Sequence, residues 1–256
     1  MTTHRKTEAF PMPKTGIGTY ELDGDKCVST VRAAIELGYR HIDTAQMYRN
    51  ERDVGQAIRE SGVPRSEIFL TTKIWPTDFR AADFIAAAEK SLRELKMDYV
   101  DLLLLHWPSK QVALAETLEA LETVVEKGWA RAGGVSNFPV ELLRAAQGIA
   151  GESISCDQIP CHFGAAPRDL IQVARAGGVA VTAYSPLNRG ALKSSRQLSE
   201  VGARYGMTPA QVALRWLTQQ GIAVIPKASN RQRLAENLAA EDINLSDADI
   251  GLLGRL

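Results

Sequence analysis

The sequence alternates short apolar runs with amphipathic segments eight times, and this alternation limits the possible folds more than any other feature. Each run ends in polar residues and is followed by a stretch with helical spacing. The runs are Ile17–Tyr20, His41–Thr44, Ile68–Ile74, Val100–His106, Ala132–Asn137, Ile154–Ile159, Val179–Tyr184 and Ile222–Ile225. Apolar strands that alternate with helices are typical of a parallel sheet whose outer face the helices cover.

The segments between the runs carry the signals of helices. Two of them place apolar side chains on one helical stripe, Leu114-Leu118-Leu121-Val125 and Phe84-Ala88-Leu92-Leu95. Asn50 and Ser246 are of the residue types that begin helices, so we expect helices to start after each. Prolines fall just past six of the runs, where they cannot interrupt a strand ladder: Pro76, Pro108, Pro139, Pro160, Pro186 and Pro226.

Eight strand–helix units predict an α/β fold, a single (β/α)₈ TIM barrel. The chain has 256 residues, which fits one barrel domain over residues 1–256. An open doubly wound sheet of similar size remains the alternative. Helical stretches around Val201–Tyr205 and Pro209–Gln219 both lie between the last two runs, so one unit carries an extra helix. A further helix is expected at the C-terminal end, after Ser246.

Charge and composition exclude several classes of function. The formal net charge is zero, which argues against nucleic-acid binding. No apolar run approaches the ~18 residues of a membrane span, and residues 1–7 lack the apolar core of a secretory signal. Three cysteines, Cys27, Cys156 and Cys161, suit reduced thiols. We therefore expect a soluble cytoplasmic protein with no nucleic-acid or membrane partner.

Polar residues stand at the carboxyl end of seven consecutive runs. They are Asp43, Lys73, His106, Ser136-Asn137, Gln158, Tyr184 and Lys227. The carboxyl ends of barrel strands open on one face, where barrel enzymes carry their chemistry. A single such residue could be an ordinary loop start, but seven on one rim predict a polar pocket.

Four of the residues near these ends predict a proton-transfer site. A lysine ammonium near a tyrosine lowers the phenol pKa from about 10, and an aspartate would hold that lysine in place. Tyr48, Lys73 and Asp43 fit these parts, so Tyr48 could donate a proton to a carbonyl oxygen that gains charge. His106 could orient that carbonyl. The alternative is an Asp43–Lys73 ion pair that braces the rim, with Tyr48 packed as an aromatic side chain.

Six motifs in order along the chain resemble those of the aldo-keto reductases. They are His41–Glu51, Thr72–Lys73, Leu105–Pro108, Gly134–Phe138, Tyr184–Leu187 and Ile225–Lys227. Within that family the chain is similar to the small bacterial enzymes that reduce 2,5-diketo-D-gluconate and methylglyoxal. The resemblance implies NADPH-dependent reduction of small aldehydes, α-ketoaldehydes or keto-sugars by a monomer. Tyr48 would be the general acid, Lys73 and Asp43 its partners, and His106 the residue that orients the substrate.

The resemblance also implies how NADPH would be held. Ser136, Asn137 and Gln158 match positions that bind the carboxamide, Tyr184 would stack on the nicotinamide, and Lys227 and Arg233 would clamp the 2′-phosphate. The full implied set is Thr19, Asp43, Ser136, Asn137, Gln158, Tyr184, Ser185, Leu187, Lys227, Ala228, Ser229, Arg233, Glu236 and Asn237. Ala228 stands where many NADPH-dependent relatives have a serine, which removes one hydrogen bond to the phosphate but neither cation.

The expected substrate pocket is open. By position, its lining would be Tyr20, Met47, Trp75 and Trp107, although the two tryptophans could equally be buried beneath loops. The segments after Trp107 and over Asn188–Ser194 are shorter than in larger relatives. The sequence also ends at Leu256, where relatives usually continue with a tail over the site, so selectivity among substrates is left open.

Two other functions were weighed against reduction. An NADPH-binding redox-sensing or regulatory subunit with little turnover would be favoured by loss of one of the four site residues, and none is lost. A metal-dependent barrel hydrolase would need clustered His and Asp ligands at the strand ends. Cys156, Cys161 and His162 lack the second ligand pair of a zinc site, so no metal is expected.

Overall fold

A computed structural model describes residues 11–256 as eight parallel strands wrapped into a barrel. The strands are β1 (Ile17–Gly18), β2 (His41–Asp43), β3 (Phe69–Ile74), β4 (Leu102–Leu105), β5 (Gly133–Ser136), β6 (Ile154–Pro160), β7 (Ala180–Tyr184) and β8 (Ala223–Val224). Each strand pairs with the next in chain order. A parallel bridge between Thr15 and Val224 joins the last strand to the first. The (β/α)₈ prediction is confirmed, and the open doubly wound sheet is excluded.

Helices follow the strands around the outside of the barrel. They are α1 (Gly24–Glu36), α2 (Glu51–Glu60), α3 (Ala81–Leu95), α4 (Leu114–Glu126), α5 (Val140–Ala150), α6 (Arg168–Ala176), α7 (Arg196–Tyr205), α8 (Pro209–Gln219), α9 (Arg231–Leu238) and α10 (Asp247–Leu253). Two helices, α7 and α8, lie between β7 and β8, and α10 ends the described chain, as predicted. No helix within residues 11–256 is long and apolar enough to cross a bilayer.

The strands separate an inner core from an outer one. Leu102 and Leu104 of β4 pack inside the barrel with Phe69 and Cys156, whereas the alternate residues Leu103 and Leu105 join the large cluster between strands and helices. This alternation follows from the two-residue repeat of a strand. On the predicted stripe of α3, all four side chains are buried.

Seven of the eight strands are shorter than the apolar runs that predicted them, and β6 is one residue longer. In the last run the strand covers only Ala223 and Val224, although the Ile225 N–H still donates to the Ala183 carbonyl of β7. Pro226, which has no N–H for a ladder, stands just past the run. One expectation was wrong in detail: Pro160 is the last residue of β6, not the first beyond it. It stands at the strand end, where its missing N–H costs little.

Close helix contact explains one of the glycines. A Cβ at Gly55 of α2 would lie 1.9 Å from the Leu95 carbonyl oxygen at the end of α3. That separation is far inside van der Waals contact, so only glycine lets the two helices approach this closely.

The expectation of no secretory signal concerns residues 1–7, which lie outside the described range. The three cysteines are free and buried.

Candidate active site

A continuous hydrogen-bond network joins polar residues at or near the carboxyl ends of six of the strands. The strands run parallel, so their carboxyl ends meet at one barrel mouth. The network links Lys73 to Asp43, Asp43 to Gln158, Gln158 to Asn137, and Asn137 to both His106 and Tyr184. The structure therefore brings together the predicted rim residues from β2 to β7. Lys227, at the eighth strand, lies outside this network.

Lys73 is the buried centre of the site. Its ammonium has no exposed surface and donates to Asp43 Oδ1 at 2.5 Å, to the Thr44 carbonyl at 2.9 Å and to the Tyr48 hydroxyl oxygen at 3.3 Å. Burial by itself would lower the lysine pKa, but Asp43 and Tyr48 outweigh it and the pKa is raised. A buried cation is stable only with such partners, so Lys73 stays charged beside the phenol.

The pKa of Tyr48 differs from the expectation. We expected Lys73 to lower it, and Lys73 does act in that direction, but burial of the phenol is larger and the net pKa is raised above 10. Asp43 adds to the rise in the Tyr48 pKa because its negative charge disfavours the phenolate. The site therefore holds Tyr48 as a neutral phenol. Because its oxygen accepts from Lys73, its O–H hydrogen is free to donate elsewhere.

His106 lies beside Tyr48 as a neutral imidazole. The two rings are 5.7 Å apart, and the Trp75 ring stands edge-on to His106 at 5.1 Å. Burial, with Lys73 adding to it, lowers the His106 pKa to about 3. Among the described residues its Nδ1 has no hydrogen-bond partner. A neutral imidazole carries one N–H, so His106 can donate to a carbonyl without carrying charge.

The turn after β5 positions the amide side chains. Asn137 has a left-handed backbone with φ 63°, and three bonds hold it there. Its N–H donates to the Gln158 carbonyl at 3.0 Å, its Nδ2 donates to the His106 carbonyl at 3.0 Å, and its Oδ1 accepts from the Tyr184 hydroxyl at 2.8 Å. Ser136 Oγ donates to the same Gln158 carbonyl at 2.8 Å. Ser136, Asn137, Gln158 and Tyr184 thus form one cluster, as predicted.

Thr19 is placed beneath the mouth rather than on its surface. Its side chain is fully buried, and its hydroxyl donates to the Asp43 carbonyl at 3.0 Å. The Asp43 side chain is buried as well and bonded to Lys73 and Gln158. Both residues therefore support the site from below in this structure.

The residues predicted for the adenosine end lie in the loop before α9 and along that helix. Lys227 forms an ion pair with Glu21 on the loop after β1, Nζ to Oε2 at 3.6 Å. Asn230 begins the helix, and its side chain accepts from the N–H groups of Gln232 and Arg233. Among the predicted residues, Ser229 and Arg233 are exposed, Ala228 and Asn237 are buried, and Glu236 is half-buried and accepts from Gln232.

The loop after β7 carries the two remaining predicted cofactor residues. Ser185 is exposed with a left-handed backbone of φ 49°, and Leu187 is half-buried against the core. The same loop continues through Asn188 and Arg189, which are also left-handed. The sharp turns keep this segment close to the rim.

The predicted substrate residues form an aromatic wall at the mouth. Tyr20, Met47 and Trp107 are 46%, 41% and 43% exposed, and they account for three of the five large apolar side chains that are exposed in the described chain. The Tyr20 ring packs edge-on against Tyr48 at 5.1 Å. Trp75 is half-buried against His106. The wall is therefore partly open to solvent.

Sequence reasoning missed two supports of the site. Asn50, expected to cap α2, makes no side-chain cap bond. Its amide instead donates to the Thr19 and Leu22 carbonyls and accepts from Thr44, which ties three loops together. Glu51 is buried and accepts from the Thr72 hydroxyl at 2.6 Å, next to Lys73. The polar pair Asn50-Glu51, two residues after Tyr48, was the available signal in the sequence.

Comparison with known proteins agrees with this geometry. The model of the aldo/keto reductase family matches residues 14–256. Methylglyoxal reductase DkgB of Salmonella typhimurium is 38% identical over 248 residues, 96% of this chain and 93% of that protein. Glyoxal reductase of Bacillus subtilis is 38% identical over 246 residues, 96% of this chain and 89% of that protein.

Solved structures agree as well. A crystal structure described as 2,5-diketo-D-gluconic acid reductase B superposes with a TM-score of 0.93 at 40% identity, covering 95% of this chain and 87% of that one. An aldo/keto reductase from Brucella melitensis gives a TM-score of 0.90 at 37% identity, covering 94% and 93%. Matches of this extent and identity, on a barrel with this mouth, place the chain in the aldo/keto reductase family of oxidoreductases.

Proposed function

We propose that this protein is an NADPH-dependent reductase of small aldehydes, α-ketoaldehydes or keto-sugars, of the methylglyoxal or 2,5-diketo-D-gluconate type. The observation that carries the proposal is the direction of the hydrogen bond from Lys73 to Tyr48. The ammonium donates to the phenol oxygen, which leaves the phenol hydrogen pointing to another acceptor. A carbonyl oxygen at the mouth is such an acceptor.

The residues at the mouth fit a dinucleotide. Tyr184 offers a ring anchored through its hydroxyl to Asn137, and an anchored aromatic face suits a planar nicotinamide. At the other end, Lys227 and Arg233 supply two cations suited to a phosphate. NADPH, when bound, supplies the hydride for the carbonyl carbon. Ser136, Asn137 and Gln158 would hold the carboxamide. Ser185 and Leu187 would flank the pyrophosphate side.

Tyr48 would act as the general acid. It donates its proton to the carbonyl oxygen as that oxygen gains negative charge, and the carbonyl becomes an alcohol. The phenolate left behind lies 3.3 Å from the Lys73 ammonium, which stabilises it until solvent returns a proton. His106 would donate its N–H to the same oxygen and so fix the direction of the carbonyl. Asp43 would hold Lys73 in place.

The preference for NADPH over NADH rests on charge. Lys227 and Arg233 would pair with the 2′-phosphate, while Glu236 and Asn237 would contact the adenosine. Ala228 and Ser229 line the same turn, and the alanine offers no hydroxyl. One lost hydrogen bond to a charged group is worth about 1.5–3 kcal/mol, whereas two cations remain. The names of the relatives, methylglyoxal and glyoxal reductase, support small dicarbonyls as substrates.

Replacement of Tyr48 tests the proposal. Y48F keeps the ring packing against Tyr20 and His106 but has no proton to donate. We expect methylglyoxal reduction with NADPH to fall at least about a hundredfold, with NADPH binding, measured by fluorescence titration, within about twofold. The matched control is Y205F, a distant tyrosine that bonds Asp249, which should retain activity. Turnover retained in Y48F would refute the role of Tyr48; NADPH binding by the unaltered protein without turnover would favour a regulatory subunit.

We further propose that residues 1–256 form one domain that acts as a cytoplasmic monomer. The free thiols of Cys27, Cys156 and Cys161 support a reducing compartment. Most of the exposed large apolar side chains in the described chain line the mouth, and Ile149 and Leu252 stand elsewhere. This distribution leaves little apolar surface for a subunit interface.

A further inference from the structure

Asn50 is a buried amide that makes three hydrogen bonds but does not cap the helix that it precedes. It has no exposed surface, and its side chain makes no cap bond at the start of α2. Its Oδ1 accepts from the Thr44 hydroxyl at 2.7 Å, and its Nδ2 donates to the Thr19 carbonyl at 2.9 Å and to the Leu22 carbonyl at 2.8 Å. Both hydrogens of the amide nitrogen are used, so the side chain is fixed in orientation.

The bond from Thr44 to Asn50 closes the loop that carries Tyr48. This loop leaves the barrel after β2, forms a 3₁₀ turn that ends at Tyr48, and enters α2 after Asn50. Within the turn, the N–H groups of Tyr48 and Arg49 donate to carbonyls three residues back. A side-chain bond between the two ends of a short loop removes conformations that the loop could otherwise adopt. Thr44 and Asn50 are those ends.

On one side, this bond couples the loop to Lys73. The Thr44 carbonyl accepts from the Lys73 ammonium at 2.9 Å, and the same ammonium donates to the Tyr48 hydroxyl oxygen at 3.3 Å. The second distance is long for a hydrogen bond, so a small outward movement of Tyr48 breaks it. Thr44 is bonded both to the lysine and to the far end of the loop, and Asn50 thereby limits how far Tyr48 can move from Lys73.

On the other side, the Asn50 amide holds the loop that carries Tyr20. The two carbonyls that accept from the amide belong to Thr19 and Leu22, which lie on either side of Tyr20 in the sequence. The Tyr20 ring packs edge-on against Tyr48 at 5.1 Å and is 46% exposed at the mouth. One amide therefore fixes both the proton donor and the aromatic wall beside it.

We propose that Asn50 is a positioning residue for the reduction: its amide clamps the loops after β1 and β2 together and so keeps the Tyr48 hydroxyl within reach of Lys73 and of a substrate carbonyl. The inference rests on the proposed function, because its main consequence is the rate of proton transfer. That rate is sensitive to geometry, since a displacement of about 1 Å can cost about a hundredfold.

Loss of the clamp should loosen the Tyr48 loop without unfolding the barrel. Glu51, the next residue, is buried and accepts from the Thr72 hydroxyl on β3 at 2.6 Å. This bond ties the start of α2 to the sheet independently of Asn50. The segment that is freed is therefore Thr44–Asn50, with Tyr48 inside it.

The test breaks the clamp in two ways. N50A removes all three bonds. T44V removes only the bond from the Thr44 hydroxyl, keeps the branched shape of the side chain and leaves the Thr44 carbonyl in place for Lys73, so it decides the question if N50A does not fold. T44S restores the hydroxyl and tests for rescue.

Q219A is the matched control. Gln219 is a half-buried amide that donates to the Leu245 carbonyl at 2.7 Å and accepts from the Leu245 N–H at 2.9 Å. It ends α8 just before β8 begins, so it clamps a loop at the face of the barrel opposite the mouth. Each protein would be compared by kcat and KM for methylglyoxal at saturating NADPH, by NADPH Kd and by the urea midpoint. Hydrogen exchange of the peptide over residues 44–50 would be followed by mass spectrometry.

We expect kcat to fall about tenfold or more in N50A and about fivefold in T44V, and T44S to recover the loss to within about twofold. In T44V, KM and NADPH Kd change by less than about twofold, because Tyr20 remains clamped; in N50A, KM also rises. Exchange over residues 44–50 becomes about tenfold faster in N50A and T44V. Q219A lowers the urea midpoint but changes neither kcat nor this exchange.

Two results would overturn the inference. One is kcat and exchange in T44V and N50A that match the unaltered protein. The other is a loss of kcat that T44S does not recover or that Q219A shows equally, which would mean that kcat follows overall stability and not the Tyr48 loop. Failure of the unaltered protein to reduce methylglyoxal would refute the proposed function instead, and the exchange data would still decide whether Asn50 holds the loop.

Discussion

At the scale of single residues, the direction of one hydrogen bond decides what Tyr48 can do. If the Tyr48 phenol donated its hydrogen bond to Asp43, its hydrogen would not be available to a substrate carbonyl. Lys73 lies between the two, donating to both, and so it separates the proton donor from the carboxylate. The raised pKa of Tyr48 then works in favour of reduction, because the acid is present at every ordinary pH.

The pH dependence of reduction follows from these two groups. Protonated Tyr48 is the active form and its pKa is raised above 10, so activity is retained below that pKa and lost above it. His106 has a pKa of about 3, so it stays neutral throughout. With NADPH saturating at each pH, we expect kcat for methylglyoxal to stay within about twofold from pH 6 to pH 9 and to fall only in stronger alkali.

Alcohol oxidation with NADP⁺ provides the internal control for that profile. Oxidation needs the phenolate as base, so its kcat should increase with pH over the same range. A change in kcat for reduction centred near pH 7 would contradict the assignment of Tyr48 as the acid, since neither Tyr48 nor His106 titrates there. H106Q, which keeps a side-chain N–H donor, should leave the alkaline limb in place.

At the scale of elements, an ion pair links the loop after the first strand to the loop after the last strand. Glu21 follows β1, Lys227 follows β8, and the pair spans the barrel seam at 3.6 Å with both side chains partly exposed. Glu21 also has a left-handed backbone, φ 60°. Lys227 is thus engaged with a carboxylate before any phosphate arrives. Binding of a 2′-phosphate there must displace Glu21.

Removing that competition should favour the phosphorylated cofactor. An exposed pair is worth up to about 1 kcal/mol, so E21Q is expected to tighten NADPH binding about two- to fivefold, while NADH binding, which lacks the 2′-phosphate, changes little. Isothermal titration with both cofactors measures this. The control is E36Q, which breaks the exposed Glu36–Arg231 pair between α1 and α9 and should affect neither Kd. Equal tightening for both cofactors would show that Lys227 does not meet the 2′-phosphate.

At the scale of the whole molecule, the barrel and its mouth follow from local pattern. All eight apolar runs became strands in chain order, because each run alternates with a helix and parallel neighbours need such crossovers. The rim residues were predictable for the same reason: parallel strands put every carboxyl end on one face. The pattern therefore determines where Lys73, His106 and Gln158 lie without any knowledge of their contacts.

The parts that could not be predicted depend on contacts between distant segments. Asn50 was expected to cap a helix by its residue type, but in the fold its Oδ1 accepts from the Thr44 hydroxyl, and its amide N–H groups donate to the Thr19 and Leu22 carbonyls. The sign of the Tyr48 shift depends on burial, which a sequence does not display. In each case the outcome depends on the neighbouring residues in the fold rather than on the residue type.

The open mouth predicts broad substrate use. Tyr20, Met47 and Trp107 are each more than 40% exposed, so they remove a small substrate only partly from water and discriminate weakly among side groups. We expect kcat/KM for methylglyoxal, glyoxal, a short aldehyde and a keto-sugar to lie within about tenfold of one another. W107A should reduce all four by similar factors, whereas the control L252A, an exposed apolar side chain on α10, should reduce none. A keto-sugar preferred by about a hundredfold or more would require a closed pocket, and the exposed wall would then have to be covered in the working enzyme.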